Sequence, residues 1–139
     1  MAEGVLREVE LALPMVPEME IEASRTATAI AESIRMSPDR IDEIRMAVVE
    51  ACINALEHSH ASDLEVYVTF QVLPEKLRIM VRDHGVGFSP DEQEEPTMEG
   101  KLKSKRKRGW GLKIIRGLMD EVEILSGTDG TTIVMSKMR

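Results

Sequence analysis

Between Met46 and Leu56 the chain reads Met-Ala-Val-Val-Glu-Ala-Cys-Ile-Asn-Ala-Leu, and only Glu50 and Asn54 in that run are polar. Four residues apart, they lie one turn above the other on a shared helix face, and His58 extends the stripe by a further turn. A carboxylate and a carboxamide among so many apolar neighbours are partly desolvated, which is costly unless they find partners. Two arrangements relieve that cost. The pair lines an exposed edge of an amphipathic helix, or it faces a bound ion and the ion's ligand.

Two glycine-bearing segments add to this stripe. Asp83-His-Gly-Val-Gly-Phe88 follows directly on an alternating apolar segment, so Gly85 and Gly87 permit a sharp turn and close backbone approach to a ligand. Gly109-Trp-Gly-Leu112 opens a helical pattern, where the first N–H groups and the helix dipole suit phosphate. Each segment alone also reads as a plain turn or a flexible hinge. The second segment is not a phosphate-binding loop of the Gly-Lys-Ser/Thr type, and it lacks the strand–glycine–helix context of a dinucleotide fingerprint. His58, His60, Asp63 and His84 lack a cysteine and the usual ligand spacing, which argues against structural zinc.

The elements that must position these residues follow from periodicity. Val5 to Leu13 has strand character and is closed by Pro14 and Pro17. Glu18 to Met36 is helical up to the boundary at Pro38. Ser37-Pro38-Asp39 combines an N-cap hydroxyl, a first-turn proline and an acid at the positive end of the dipole, so a second helix runs from Pro38 to about His58. Leu64 to Val72 and Lys76 to Arg82 alternate as a hairpin around Pro74-Glu75. Asp83 shares the parity of Leu77, Ile79 and Val81, and so points to the covered face. A third helix is expected over Gly111–Met119, then strands Glu121–Leu125 and Thr132–Met135. Phe88 to Arg108 has little periodicity and is long for a structureless connection, which favours a functional or mobile loop. Ser89-Pro90-Asp91-Glu92 within it resembles a capping box. The expected fold class is α/β (α+β): a two-layer sandwich with three helices on one face of a mixed, mostly antiparallel sheet, formed by one domain over residues 1–139.

Composition bounds the partners. A net charge of −7 disfavours nucleic acid as a main partner, despite the basic run Lys101–Arg108. No apolar run approaches a membrane span, and the N-terminus lacks the pattern of a signal peptide. A single cysteine, Cys52, excludes an internal disulfide and packs as a small hydrophobe. Together these features place the chain in the cytoplasm as an expectation. The ten methionines fill core gaps that the scarce aromatics leave.

Taken in order, Glu50-Ala-Cys-Ile-Asn-Ala-Leu-Glu-His58, Asp83-His-Gly-Val-Gly-Phe88, Gly109-Trp-Gly-Leu112 and Gly130-Thr-Thr132 resemble the nucleotide-binding boxes of the GHKL ATPase superfamily. Within it the chain is most similar to the anti-sigma-factor serine kinases, through Glu-Ala ahead of the box asparagine and the ending Leu-Met-Asp-Glu-Val-Glu-Ile with Gly-Thr-Thr-Ile-Val-Met-Ser-Lys. The resemblance implies a histidine-kinase-like ATPase fold with a lid over about residues 88–110, and ATP with Mg²⁺ as cofactors. Asn54 would hold Mg²⁺ and Glu50 would act as general base on an attacking serine hydroxyl. Asp83 would accept the adenine amino group, supported by Thr131, and Gly85 and Gly87 would let the chain pass close to the nucleotide. His58 would lie beside the pocket or cap its helix. Backbone N–H groups at Gly109, Trp110, Gly111 and Leu112 would bind phosphates, and Arg108 would reach the terminal one. The implied partners are a sigma factor and an antagonist protein phosphorylated on serine, with a homodimer as the assembly. An alternative is an ATP-binding regulatory module of the same fold without transfer activity. The chain departs from the family pattern at bulky Trp110, at His84, and in a lid that is acidic from Asp91 to Glu99 and basic from Lys101 to Arg108.

Overall fold

The computed structural model describes residues 4–57, 65–83, 106–127 and 130–139, without the side chains of 106–110. The chain runs β1 (Arg7–Pro14), α1 (Met19–Ser33), α2 (Pro38–Glu57), β2 (Glu65–Val72), β3 (Lys76–Arg82), α3 (Arg106–Leu118), β4 (Glu121–Gly127) and β5 (Gly130–Met138). The strands form one sheet in the order β1-β2-β3-β5-β4. The sequence suggests a mixed, mostly antiparallel sheet; all four pairings among the described strands are antiparallel.

The alternation in the strands sorts the two faces. Val66, Val68 and Phe70 of β2, Leu77, Ile79 and Val81 of β3, and Ile133 and Met135 of β5 are buried. They meet Ala23, Ala27, Ile30 and Ala31 of α1 and Ile44, Ala47, Val48, Ala51 and Cys52 of α2. Small alanines on both helices permit the close α1–α2 packing. The opposite face is polar: Gln71 donates to Glu8 Oε1 at 2.8 Å and accepts from Arg78 Nε at 2.8 Å, while Lys76 pairs with Glu121 at 2.7 Å. Pro14 is tolerated at the end of β1 because that strand lies at a sheet edge.

The helix boundaries have local causes. At the start of α2, Arg40 N–H donates to Ser37 Oγ at 3.3 Å, the capping bond the Ser-Pro-Asp sequence predicts. α1 stops before the expected Met36. Arg35 takes a left-handed φ of 61°, and its N–H and that of Met36 bond back to Glu32 and Ala31 carbonyls at 3.0 and 3.1 Å. This double bond-back is a Schellman ending, with arginine where glycine is usual. α3 begins at Arg106, five residues ahead of the expected start; the apolar spacing that marks it begins at Leu112, which with Ile115, and Met119 just past the helix end, faces the core. β4 and β5 extend beyond the expected strands, pairing as far as Gly127 with Gly130, whose φ is 127°. The capping-box reading at Ser89–Glu92 lies outside the described residues.

Candidate functional site

α2 brings the Glu50–Asn54 stripe to the side of the helix layer where α3 packs. Glu50 is half-buried, and a Cβ placed on Gly111 of α3 would lie 3.5 Å from its Oε1. Burial raises the Glu50 carboxyl above its ordinary pKa, and the charge of Glu57, two turns further along α2, adds to the rise. Asn54 is 5% exposed, yet its carboxamide makes no hydrogen bond to another described residue. No fully enclosed side-chain nitrogen or oxygen among the described residues lacks a partner.

At the end of β3, Asp83 continues the covered-face parity and is 7% exposed. Its N–H donates to Thr131 O at 3.0 Å, and its Oδ1 accepts from Thr131 N–H at 3.1 Å. Thr131 supports Asp83 through its backbone; its hydroxyl meets Ser126 Oγ at 3.2 Å. The carboxylate is thus anchored through Oδ1 at the end of β3.

α3 carries Arg108, Gly109, Gly111 and Leu112 within its first turns. The helix begins at Arg106, so Gly111 and Leu112 lie past its first turn, where backbone N–H groups donate within the helix. Gly111 and Leu112 are buried. His58, Gly85 and Gly87 lie outside the described residues, as do His60, Asp63, His84 and most of the expected lid. The structure therefore joins Glu50 to Gly111 and Asp83 to Thr131, and sets Asn54 one turn from Glu50.

Residues 13–137 match the family model described as "Histidine kinase-like ATPase domain". The chain belongs to this family. Histidine kinase-like ATPase domains of known structure share its fold. The RsbU and RsbW domains of Rv1364c from Mycobacterium tuberculosis superpose with a TM-score of 0.72 at 20% identity, over 95% of this chain and 32% of that longer one. The mycobacterial sensor histidine kinase MprB gives 0.55 at 17% identity, over 94% and 97% of the two chains. Among curated relatives, the serine-protein kinase RsbW of Bacillus subtilis is 30% identical over 135 residues, covering 93% of this chain and 84% of its own. The Bacillus licheniformis protein of the same name is 34% identical over 136 residues, with the same coverage. The resemblance to serine kinases of this superfamily, and the fold it implies, are borne out.

Sequence reasoning missed two contributors. Glu57 acts on Glu50 along α2, a spacing legible as one further step of the same stripe. Lys137 shares the covered parity of Ile133 and Met135 and is 6% exposed. A lysine at an inward strand position was the available signal.

Proposed function

We propose that this chain is an Mg-ATP-dependent protein-serine kinase that also binds a sigma factor, acting as a single domain and as a homodimer. Its implied protein substrate is an antagonist carrying an acceptor serine. The observation that carries this reading is the approach of the half-buried Glu50 carboxylate to side-chain-free Gly111, with the buried Asn54 carboxamide, which has no hydrogen-bond partner among the described residues, one turn away.

The residues fit the nucleotide. Asn54 offers an oxygen donor of the kind Mg²⁺ prefers, and the missing side chain at Gly111 leaves room beside Glu50. When bound, Mg-ATP supplies the transferable phosphoryl group and the metal charge that offsets its negative oxygens. The protein's own part is positioning and proton handling. Glu50 takes the proton from the acceptor hydroxyl, and its raised pKa makes it a stronger base than an exposed carboxylate. Asp83, fixed by the Thr131 N–H, accepts a hydrogen bond from the adenine amino group. The first amides of α3 and its dipole would attract phosphate, and the family resemblance would have Arg108 reach the terminal one. The family resemblance would further assign Gly85 and Gly87 to the nucleotide's surroundings, His58 to the pocket side of α2, and a lid role to about residues 88–110.

Calorimetry with Mg-ATP and Mg-GTP on the wild type and Asp83→Asn tests the site. Asn at 83 can still accept from Thr131 N–H, so the fold persists while ATP affinity falls at least tenfold. Unchanged ATP affinity in the variant removes Asp83 from the site. ATP uptake without label transfer to any serine protein partner leaves the regulatory-module alternative standing.

A further inference from the structure

Lys137 closes the covered face of β5 opposite Leu77, yet its ammonium is not left in the apolar layer. It donates to the carbonyl of Leu118, the last residue of α3, and pairs with Glu43 Oε1 on α2 at 2.8 Å. A cation at a helix C-terminus satisfies an orphan carbonyl and opposes the negative end of the dipole. Here the same cation ties that helix end to a neighbouring helix.

The spacing on the two helices matches. Glu43 precedes Glu50 by seven residues on α2, and Gly111 precedes Leu118 by seven on α3. Seven residues are two turns less about 20°, or about 10 Å of rise, so each pair lies along one face of its helix. α2 and α3 are therefore held together at two levels. One is the approach of Glu50 to Gly111, and the other is the Glu43–Lys137–Leu118 clasp. We infer that Lys137 is a positioning residue: by clasping the end of α3 to α2, it sets how closely Gly111 approaches Glu50. Its ligand consequence rests on the nucleotide reading above, while the clasp itself does not.

The experiment compares wild type with Lys137→Met, which keeps the length and apolar stem but removes the donors, and with Lys137→Arg, which keeps charge and donors. Amide hydrogen exchange is followed without nucleotide, and Mg-ATP affinity is measured at a temperature where each protein is fully folded. Lys137→Met accelerates exchange at Gly111 and Leu112 at least tenfold beyond any change in the β2 and β3 core amides, and weakens Mg-ATP about tenfold. Lys137→Arg restores most of both. Glu43→Gln, which keeps the fold's contacts but halves the charge pair, gives a smaller change in the same direction should Lys137→Met fail to fold. Uniform acceleration across the chain, or a lowered unfolding midpoint with Gly111 exchange and ATP affinity unchanged, overturns the inference. A wild type that takes up no Mg-ATP while Gly111 exchange still responds overturns the nucleotide reading and leaves the clasp intact.

Discussion

The carboxylate of Glu50 lies 3.5 Å from the point where a Cβ on Gly111 would stand. That separation is an ordinary van der Waals contact, so the protein itself has room for a methyl group at 111. Alanine is also favoured over glycine inside a helix by about 0.5–1 kcal/mol. Gly111→Ala is therefore expected to leave stability unchanged or raise it by up to about 1 kcal/mol, while lowering Mg-ATP affinity about tenfold. Thermal unfolding beside calorimetry reads both; an alanine variant with undiminished ATP affinity means the gap beside Glu50 is not used by ligand.

Glu50→Gln separates binding from transfer. Removing a general base costs about 10²–10⁴-fold in rate, whereas glutamine preserves size and polarity, so Mg-ATP affinity changes little. The variant also has a pH signature. A carboxyl raised in the folded state holds its proton more tightly there than when unfolded, so its stabilising contribution is present at low pH and lost as pH rises through the raised value. Glutamine does not titrate. Glu50→Gln is expected to be more stable than wild type at neutral pH and equal to it well below the ordinary carboxyl range. Urea unfolding at the two pH values checks the sign.

Cys52 is fully buried, and burial with the nearby charge of Glu20 pushes its thiol up to about 12. The thiolate is the reactive form, so a disulfide reagent at pH 8 should react at least about a hundredfold more slowly than with a free thiol. Denaturant should restore the ordinary rate. Fast labelling of the native protein contradicts the packing of α2 against the sheet.

The end of α1 carries a removable cost. Arg35 is exposed and held at a φ of 61°, where a Cβ is disfavoured by roughly 1–2 kcal/mol. Glycine relieves that strain and loses part of the gain to the greater freedom of its unfolded chain. Arg35→Gly is expected to stabilise the fold by about 0.5–1 kcal/mol in chemical denaturation, with the bonds to Ala31 and Glu32 retained.

Much of this architecture was legible because each element announces itself locally. The parity of Leu77, Ile79, Val81 and Asp83 places the aspartate inward before any contact is known, and Asp83 is indeed buried. Ser37-Pro38-Asp39 marks the start of α2, where the Ser37 hydroxyl does accept the Arg40 amide. Less visible were the features that depend on backbone conformation without a side-chain signature. The left-handed turn at Arg35 ends α1 although no glycine signals it, and α3 starts at Arg106 through residues whose apolar spacing says nothing.

By itself the chain determined its alternating strands, its two long helices and the stripe of Glu50 and Asn54, because periods of 2 and 3.6 are properties of consecutive residues. Only the tertiary structure decided that Glu50 meets Gly111, that Thr131 holds Asp83, and that Lys137 joins α2 to α3. Those partners stand 61, 48 and, for Lys137, 94 and 19 residues apart in the numbering. Contacts across such distances are set by how the helix layer lands on the sheet, a choice made by packing of the whole core rather than by any local run of residues.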